Sequence, residues 1–100
     1  MAWGIAMETN EISRHEVAVY RVLTGHPGER LTNEAIAAAA PDVKPRTVRA
    51  HTRRLAELGI VDVAEVFPGH RYRYSEKASK RNRAYLLRLE KAAGVFGFGT

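Results

Sequence analysis

Apolar side chains recur at spacings of three and four in three segments of the chain, at 13–24, 32–40 and 45–58. This spacing places them on one face of a helix. Each segment ends at a residue that stops a helix: Gly25, Pro41 or Gly59. The pattern therefore predicts three helices, of which the second and third are joined by a tight turn.

Residues at the helix ends support these boundaries. Ser13 and Glu16 form a capping box, in which the serine hydroxyl accepts from the Glu16 amide and the glutamate side chain reaches back to Ser13. Thr32 is expected to cap the second helix. Gly59 followed by Ile60 predicts a Schellman ending for the third helix, with Ile60 folded back on its last turn.

The next stretch alternates between polar and apolar residues, which is the period of a β-strand. Residues 61–67 and 70–74 predict two strands joined by a proline-glycine turn. Alternation places the two tyrosines of the second strand on one face and its two arginines on the other. A last helix is predicted from Ser75 to about Ala93, followed by a tail rich in glycine and phenylalanine.

Positive charge is concentrated in the second half of the chain. The formal net charge is +5 and the isoelectric point is about 10.0. Residues 1–42 hold three Lys or Arg and six Asp or Glu, a charge of −3, whereas residues 43–88 hold twelve and four, a charge of +8. Twelve of the 16 basic residues are arginine, whose planar fork fits phosphates and guanine edges. This segregation favours a polyanionic partner bound by one part of the surface.

Other functional classes receive little support. The chain has no cysteine, and its four histidines are scattered, so we expect no metal site. No phosphate-binding glycine loop or nucleophile–base pair predicts an enzyme or a cofactor. No apolar run is long enough to span a bilayer, and no secretory leader is evident. The expected location is the cytoplasm, in association with the nucleoid.

Two segments resemble a known family. Residues 47–61 (TVRAHTRRLAELGIV) are similar to the recognition helix and first wing strand of winged helix-turn-helix transcriptional regulators, which include MarR-like and ArsR-like repressors. Residues 31–37 (LTNEAIA) are similar to the second helix of that superfamily. The resemblance extends through the order of elements over residues 13–93. It implies an α+β, mostly helical fold with a three-helix core, a two-stranded wing and a C-terminal helix.

The chain departs from the family pattern at two positions. Lys44 stands where a serine or threonine often caps the recognition helix, so Asp42 is an alternative cap. Thr52 stands where a leucine is usual. Its hydroxyl is expected to bond back to the carbonyl of Val48.

One face of the third helix carries the expected DNA contacts. If the apolar residues point inward, the 100° step per residue turns an arginine-rich face outward, where it fits the major groove. The expected base contacts are Arg46, Arg49 and Arg53, with Ala50 allowing close approach. The expected phosphate contacts are Lys44, Thr47 and Arg54. The alternative is a solvated helix face that is simply rich in arginine.

The hairpin offers a similar choice. His70, Arg71 and Arg73 could lie along phosphates or enter the adjacent minor groove, which attracts arginine where it is narrow. Alternatively, these charges protect an exposed strand edge from aggregation. We expect DNA contact, because the resemblance implies that the wing flanks the recognition helix.

The last helix is expected to pair two copies of the chain, because regulators of this size generally bind DNA as dimers. The expected dimer contacts lie within residues 76–93 and are Ala78, Asn82, Tyr85, Leu86, Leu89 and Ala92. The alternative is that this apolar stripe covers the core of its own chain.

One hundred residues are enough for one domain. We expect an N-terminal extension at 1–12, a DNA-binding unit at 13–75, and a dimerising helix and tail at 76–100. The expected function is a regulator of transcription that represses by occupying an inverted repeat in double-stranded DNA as a homodimer. A small-molecule effector is not expected in so small a chain. The alternatives are a winged-helix module that binds protein, or one that binds RNA or acts in replication.

Overall fold

A computed structural model of the chain describes residues 12–66, 69–75 and 82–97. Its helices are α1 (Arg14–Thr24), α2 (Asn33–Ala39), α3 (Pro45–Glu57) and α4 (Arg83–Val95). Its strands are β1 (Val61–Val66) and β2 (Gly69–Tyr74), an antiparallel pair between α3 and α4. This is the α+β, mostly helical winged helix-turn-helix arrangement that the sequence predicts.

The predicted caps of α1 and α2 are present, but one half of the capping box is not. The Ser13 hydroxyl accepts from the Glu16 amide at 3.1 Å, and the Thr32 hydroxyl accepts from the Ala35 amide at 3.0 Å. The Glu16 side chain, however, is buried and accepts a hydrogen bond from Tyr85. The prediction that it reaches back to Ser13 is therefore wrong, because its carboxylate turns toward the protein interior.

The two ends of α3 are terminated differently. Lys44 is the N-cap and makes no side-chain capping bond, so Asp42 does not take the capping role that the sequence left open to it. At the other end, Gly59 has φ +81°, a backbone conformation that glycine adopts without the steric cost of a Cβ. The amide of Ile60 donates to the carbonyl of Leu55 at 2.9 Å, which confirms the Schellman ending.

The wing has a short third partner that the sequence did not indicate. β1 and β2 pair with Val63 opposite Tyr72 and Val61 opposite Tyr74. Leu31, which precedes the cap of α2, exchanges two backbone hydrogen bonds with Tyr72, both at 2.7 Å. This bridge ties the base of the wing directly to the start of α2, so the wing and the helix-turn-helix are held at one relative orientation.

Helix α1 lies at the centre of the fold, because α2, α3, α4 and β2 all pack against it. Burying each large apolar side chain contributes about 1.5–3 kcal/mol. The fully buried apolar side chains are Val17, Val19, Tyr20, Leu23, Ile36, Val43, Val48, Leu55, Ile60 and Leu89. They come from every helix, so the terminal helix shares one core with the helix-turn-helix.

The terminal helix differs from its prediction at its end. It extends to Val95 rather than stopping near Ala93. Its predicted first turns fall on residues 76–81, which lie outside the described residues. Ser75, the predicted cap, is buried, and its amide donates to the Ile60 carbonyl at 2.9 Å, which extends the base of the hairpin.

Candidate nucleic-acid interface

Helix α3 has one buried face and one exposed face, as its residue pattern predicts. Val48, Thr52 and Leu55 are completely buried. The opposite face is exposed and consists of Arg46, Arg49, Ala50 and Arg53. Lys44, at the N-terminus of the helix, is also exposed, and Thr47 is half-buried. The predicted base contacts are thus all available on the outside of the molecule.

A concave groove of about 600 Å³ lies between α3 and the wing. One wall is α3, which contributes Arg49 and Arg53, and the other is the wing, which contributes His70 and Arg71. The start of α2 closes one side. Two elements, α3 and the wing, therefore bring four of the predicted DNA contacts to one open surface, although those contacts are separated along the chain.

Two carboxylates share this groove with the arginines. Glu34 of α2 and Glu57 of α3 both line it, and both side chains are exposed. A carboxylate repels phosphate but accepts a hydrogen bond from the exocyclic amine of cytosine. The groove is therefore not a uniform basic surface, and its charge pattern suits contact with base edges as well as with the backbone.

The two arginines of the wing are placed differently. Arg71 is exposed and lines the groove. Arg73 is half-buried, and its Nη2 lies 3.3 Å from Oδ2 of Asp62, its partner on the opposite strand. Because Asp62 already balances its charge, Arg73 is less available to a phosphate than Arg71.

A hydrogen bond between side chains joins the two helices of the helix-turn-helix. The buried Thr52 hydroxyl of α3 lies 2.8 Å from Oδ1 of Asn33, at the start of α2, and 3.1 Å from the Arg49 carbonyl. The predicted bond to the Val48 carbonyl is not formed, since the hydroxyl turns to the carbonyl three residues back, where it also meets Asn33. Thr52 thus holds α3 against α2 next to Arg49, one of the predicted base contacts.

Replacing Thr52 with valine tests this link. The change keeps the side-chain shape and removes the hydroxyl, so we expect the free energy of unfolding to fall by about 1 kcal/mol. Thr24→Val is the matched control, because the Thr24 hydroxyl bonds within α1, to the Arg21 carbonyl at 3.3 Å. Chemical denaturation measures both. Equal effects for the two variants would contradict a special role for the Thr52–Asn33 bond.

A buried carboxylate lies behind α3, on the side away from the groove. Glu16 is 3% exposed, and its Oε2 accepts a hydrogen bond from the Tyr85 hydroxyl. Its Oε1 lies 3.8 Å from Nδ1 of His51 and 3.7 Å from Nε of Arg54. Arg54, a predicted phosphate contact, therefore faces an internal counter-charge, although its side chain is 59% exposed.

Burial shifts the pKa values of two side chains beside Glu16, Tyr85 and His51. Burial and the hydrogen bond to Glu16 raise the pKa of Tyr85 to about 12. Burial lowers the pKa of His51 below its usual value, against the opposing effect of Glu16. At neutral pH the histidine is therefore neutral, and Arg54 supplies the positive charge beside the Glu16 carboxylate.

From the residue pattern, Glu16 was expected only as a capping residue. The position of Glu16 in the sequence nevertheless indicates that its side chain is buried. Glu16 precedes Val17 and lies four residues before Tyr20, so it shares the helix face that α1 buries. An acidic residue on a buried helix face requires an internal partner.

Most of the expected dimer contacts of α4 that the structure describes face the chain's own core. Tyr85 is 7% exposed and Leu89 is completely buried, which leaves these side chains no surface to offer a second copy. Leu86 and Ala92 are half-buried against the same core. The reason is that α4 packs directly on α1.

The remaining two expected dimer contacts are Asn82 and Ala78. Asn82 is the N-cap residue of α4 but makes no side-chain capping bond, and its side-chain amide instead donates to the carbonyl of Leu58 at 3.1 Å, which joins α4 to the end of α3. Ala78 lies outside the described residues.

The exposed side of α4 carries other apolar residues instead. Ala84, Leu87 and Val95 are exposed on this outer face, where Lys91 lies between Leu87 and Val95 and is exposed as well. Leu87 is 55% exposed and Val95 is 76% exposed, which is unusual for large apolar side chains. Any pairing through this helix would use this outer face.

Within 12–66, 69–75 and 82–97, no three His, Cys, Asp or Glu side chains group as a metal ion would require. In the same ranges, no helix is long and apolar enough to cross a membrane.

Comparison with known proteins shows the fold. No protein-family model and no curated protein matches the chain. The crystal structure of the ST1889 protein from the thermoacidophilic archaeon Sulfolobus tokodaii is similar to it, with a TM-score of 0.63 and 23% identity over 92% of this chain and 90% of that one. A MarR family protein from Bacillus stearothermophilus is similar with a TM-score of 0.54 and 17% identity, over 89% of this chain and 62% of that one. The winged-helix fold predicted from the sequence is confirmed.

Proposed function

We propose that this protein is a sequence-specific regulator of transcription that binds double-stranded DNA. In this proposal α3 enters the major groove, and the wing contacts the flanking backbone or minor groove. The observation that carries the proposal is the shared groove, in which Arg49 and Arg53 of α3 and Arg71 of the wing line one open surface.

The chemistry of that surface favours DNA over other partners. Arginine pairs through two hydrogen bonds with the O6 and N7 atoms of guanine, the commonest specific contact in the major groove. Arg46, Arg49 and Arg53 present this side chain along the exposed face of α3. Ala50, between them, allows the helix to approach the base edges closely.

Phosphate contacts would set the position of the helix on the duplex. Lys44 and Thr47 lie at the N-terminus of α3, where the helix dipole favours an anion. Lys44 makes no side-chain capping bond, so a DNA phosphate could accept from the amides of the first turn. Arg54 and the wing residues His70 and Arg71 supply further positive or polar groups at the margins.

The proposed binding mode is a homodimer on an inverted repeat, which represses by occupying the operator. The support is the exposure of two large apolar side chains, Leu87 and Val95, on the outer face of α4, and pairing there would place two copies back to back with their α3 helices apart. A two-fold dimer of this kind binds two half-sites separated by about 10 base pairs or a multiple of that spacing.

Replacing Leu87 with aspartate is expected to shift the protein from dimer to monomer, because a charge would have to be buried in the apolar contact. Mass measured by light scattering over a range of concentrations checks this. Ala38→Asp is the control, since it adds the same charge at an exposed position of α2. A Leu87→Asp protein that remains dimeric would place the contact elsewhere.

A direct test of the proposed function compares duplex DNA with a structured RNA at a series of salt concentrations. We expect duplex binding whose affinity falls by about 10³–10⁵ between 50 and 200 mM salt if six to ten phosphates are contacted. Preference for the RNA hairpin would support an RNA-binding module. Absence of binding to either at low salt, with retained capture of a protein partner, would favour a protein-interaction module.

A further inference from the structure

Two tyrosine–glutamate hydrogen bonds join α1 and α4 in a reciprocal arrangement. Tyr20 of α1 donates to Glu90 of α4, and Tyr85 of α4 donates to Glu16 of α1. The two links have the same chemistry and connect the same two helices. They differ in burial, because Glu90 is exposed whereas Glu16 is 3% exposed.

The Glu16 link also reaches α3, and its two oxygens have different partners. Oε2 accepts from the Tyr85 hydroxyl, whereas Oε1 faces Nδ1 of His51 at 3.8 Å and Nε of Arg54 at 3.7 Å. One buried carboxylate therefore lies between three helices. In the other link, Tyr20 packs edge-on against Tyr74 at the base of the wing, and no hydrogen bond or ion pair among the described residues joins Glu90 to α3.

The buried charge of Glu16 strongly restricts the positions of the groups around it. Removing a buried carboxylate from its partners leaves an uncompensated charge, which costs several kcal/mol, so the partners are held near it. His51 and Arg54 are one turn apart on α3. Each directly follows an outward-facing residue, Ala50 before His51 and Arg53 before Arg54. A rotation of α3 about its axis would separate both from Glu16 and would turn Arg49 and Arg53 away from their present direction.

We propose that Glu16 is a positioning residue for DNA recognition, which sets the rotation of α3 and thereby the direction of Arg49 and Arg53. The inference rests on the proposed function. It also gives α4 a route to the interface, because a displacement of Tyr85 changes the partner of the same carboxylate that faces α3. A second copy bound on the outer face of α4 would act on the DNA-binding surface by this path.

Glu16→Gln is the principal test, because it keeps the length of the side chain and an oxygen that accepts from Tyr85, and removes the charge. We expect the ratio of specific to nonspecific affinity to fall about tenfold, the size of a typical coupling in a buried polar network. The slope of affinity against salt should not change, since the phosphate contacts remain. Glu90→Gln makes the same change on the other link and should leave the ratio unaltered.

A second variant covers the case in which Glu16→Gln does not fold. Arg54→Gln removes the charged α3 partner through a side chain that is 59% exposed, so no apolar core side chain is truncated and the Tyr85 hydroxyl still donates to Glu16. A positioning role predicts a lower ratio of specific to nonspecific affinity, whereas a simple phosphate contact would lower both affinities equally. An unchanged ratio in the folded variants would overturn the inference.

Hydrogen exchange separates this inference from the proposed function, because it needs no DNA. In Glu16→Gln, or in Arg54→Gln if the first variant is unfolded, amides of α3 should exchange faster, while Glu90→Gln should leave them at the wild-type rate. Unchanged α3 exchange would contradict the inference even if DNA binding is established. Faster exchange in a protein that binds no duplex would contradict the proposed function alone.

Discussion

Replacing Leu89 with alanine is expected to lower the free energy of unfolding by about 2–5 kcal/mol. The Leu89 side chain is completely buried where α4 packs on α1, and the truncation would leave a cavity in the shared core. Chemical denaturation measures the effect. Because the whole side chain is enclosed by its own chain, the loss should not depend on protein concentration.

Leu87→Ala on the same helix is the matched control. Leu87 is 55% exposed, so the same substitution should change the stability of the monomer by no more than about 0.5 kcal/mol. Two results would contradict this assignment: a larger loss of unfolding free energy at Leu87 than at Leu89, or a loss at Leu89 that disappears at high protein concentration. Either would mean that Leu89 faces a second copy and that the dimer contact lies on the side of α4 that contains Leu89.

The second large effect is expected in DNA recognition. Arg49→Ala or Arg53→Ala should each cost about 1–3 kcal/mol of specific binding and relax the preference for one base pair. Both side chains are exposed on α3 and line the groove opposite the wing, so their removal should leave the fold intact. Titration of each variant against duplexes varied one base pair at a time measures the cost and its position.

Arg73→Ala is the comparison for these two variants. It also removes an arginine, but one whose Nη2 lies 3.3 Å from Asp62 across the hairpin. Its loss should reduce affinity less and leave base preference unchanged. If Arg49→Ala or Arg53→Ala lowers specific and nonspecific binding to the same extent, that arginine contacts phosphate rather than bases.

The features that local chemistry determines could be predicted from the sequence. Ser13 and Thr32 cap their helices, and Gly59 ends α3 in the left-handed conformation, because each acts through backbone groups within a few residues. The outward placement of the arginines of α3 followed in the same way from the helical period. These local features predict the order of the helices and strands, and the resemblance to winged helix-turn-helix regulators implies their arrangement.

The polar interactions between elements could not be predicted in the same way. Glu16 bonds to Tyr85 and Thr52 bonds to Asn33, in each case across two helices whose packing the residue pattern does not specify. The face of α4 that contains Tyr85 and Leu89 was equally ambiguous. Its residues suit a dimer contact or a core, and only the packing of α4 on α1 shows that Tyr85 and Leu89 belong to the core.

Methylation interference at guanine N7 tests the central claim most directly, because N7 lies in the major groove and is the atom that arginine binds there. The duplex would be one selected by the wild-type protein from random sequences. We predict that methylation at guanines within each half-site abolishes binding, and that Arg49→Ala or Arg53→Ala removes the sensitivity at one of those guanines. Binding that is indifferent to N7 methylation throughout the selected site would contradict insertion of α3 into the major groove.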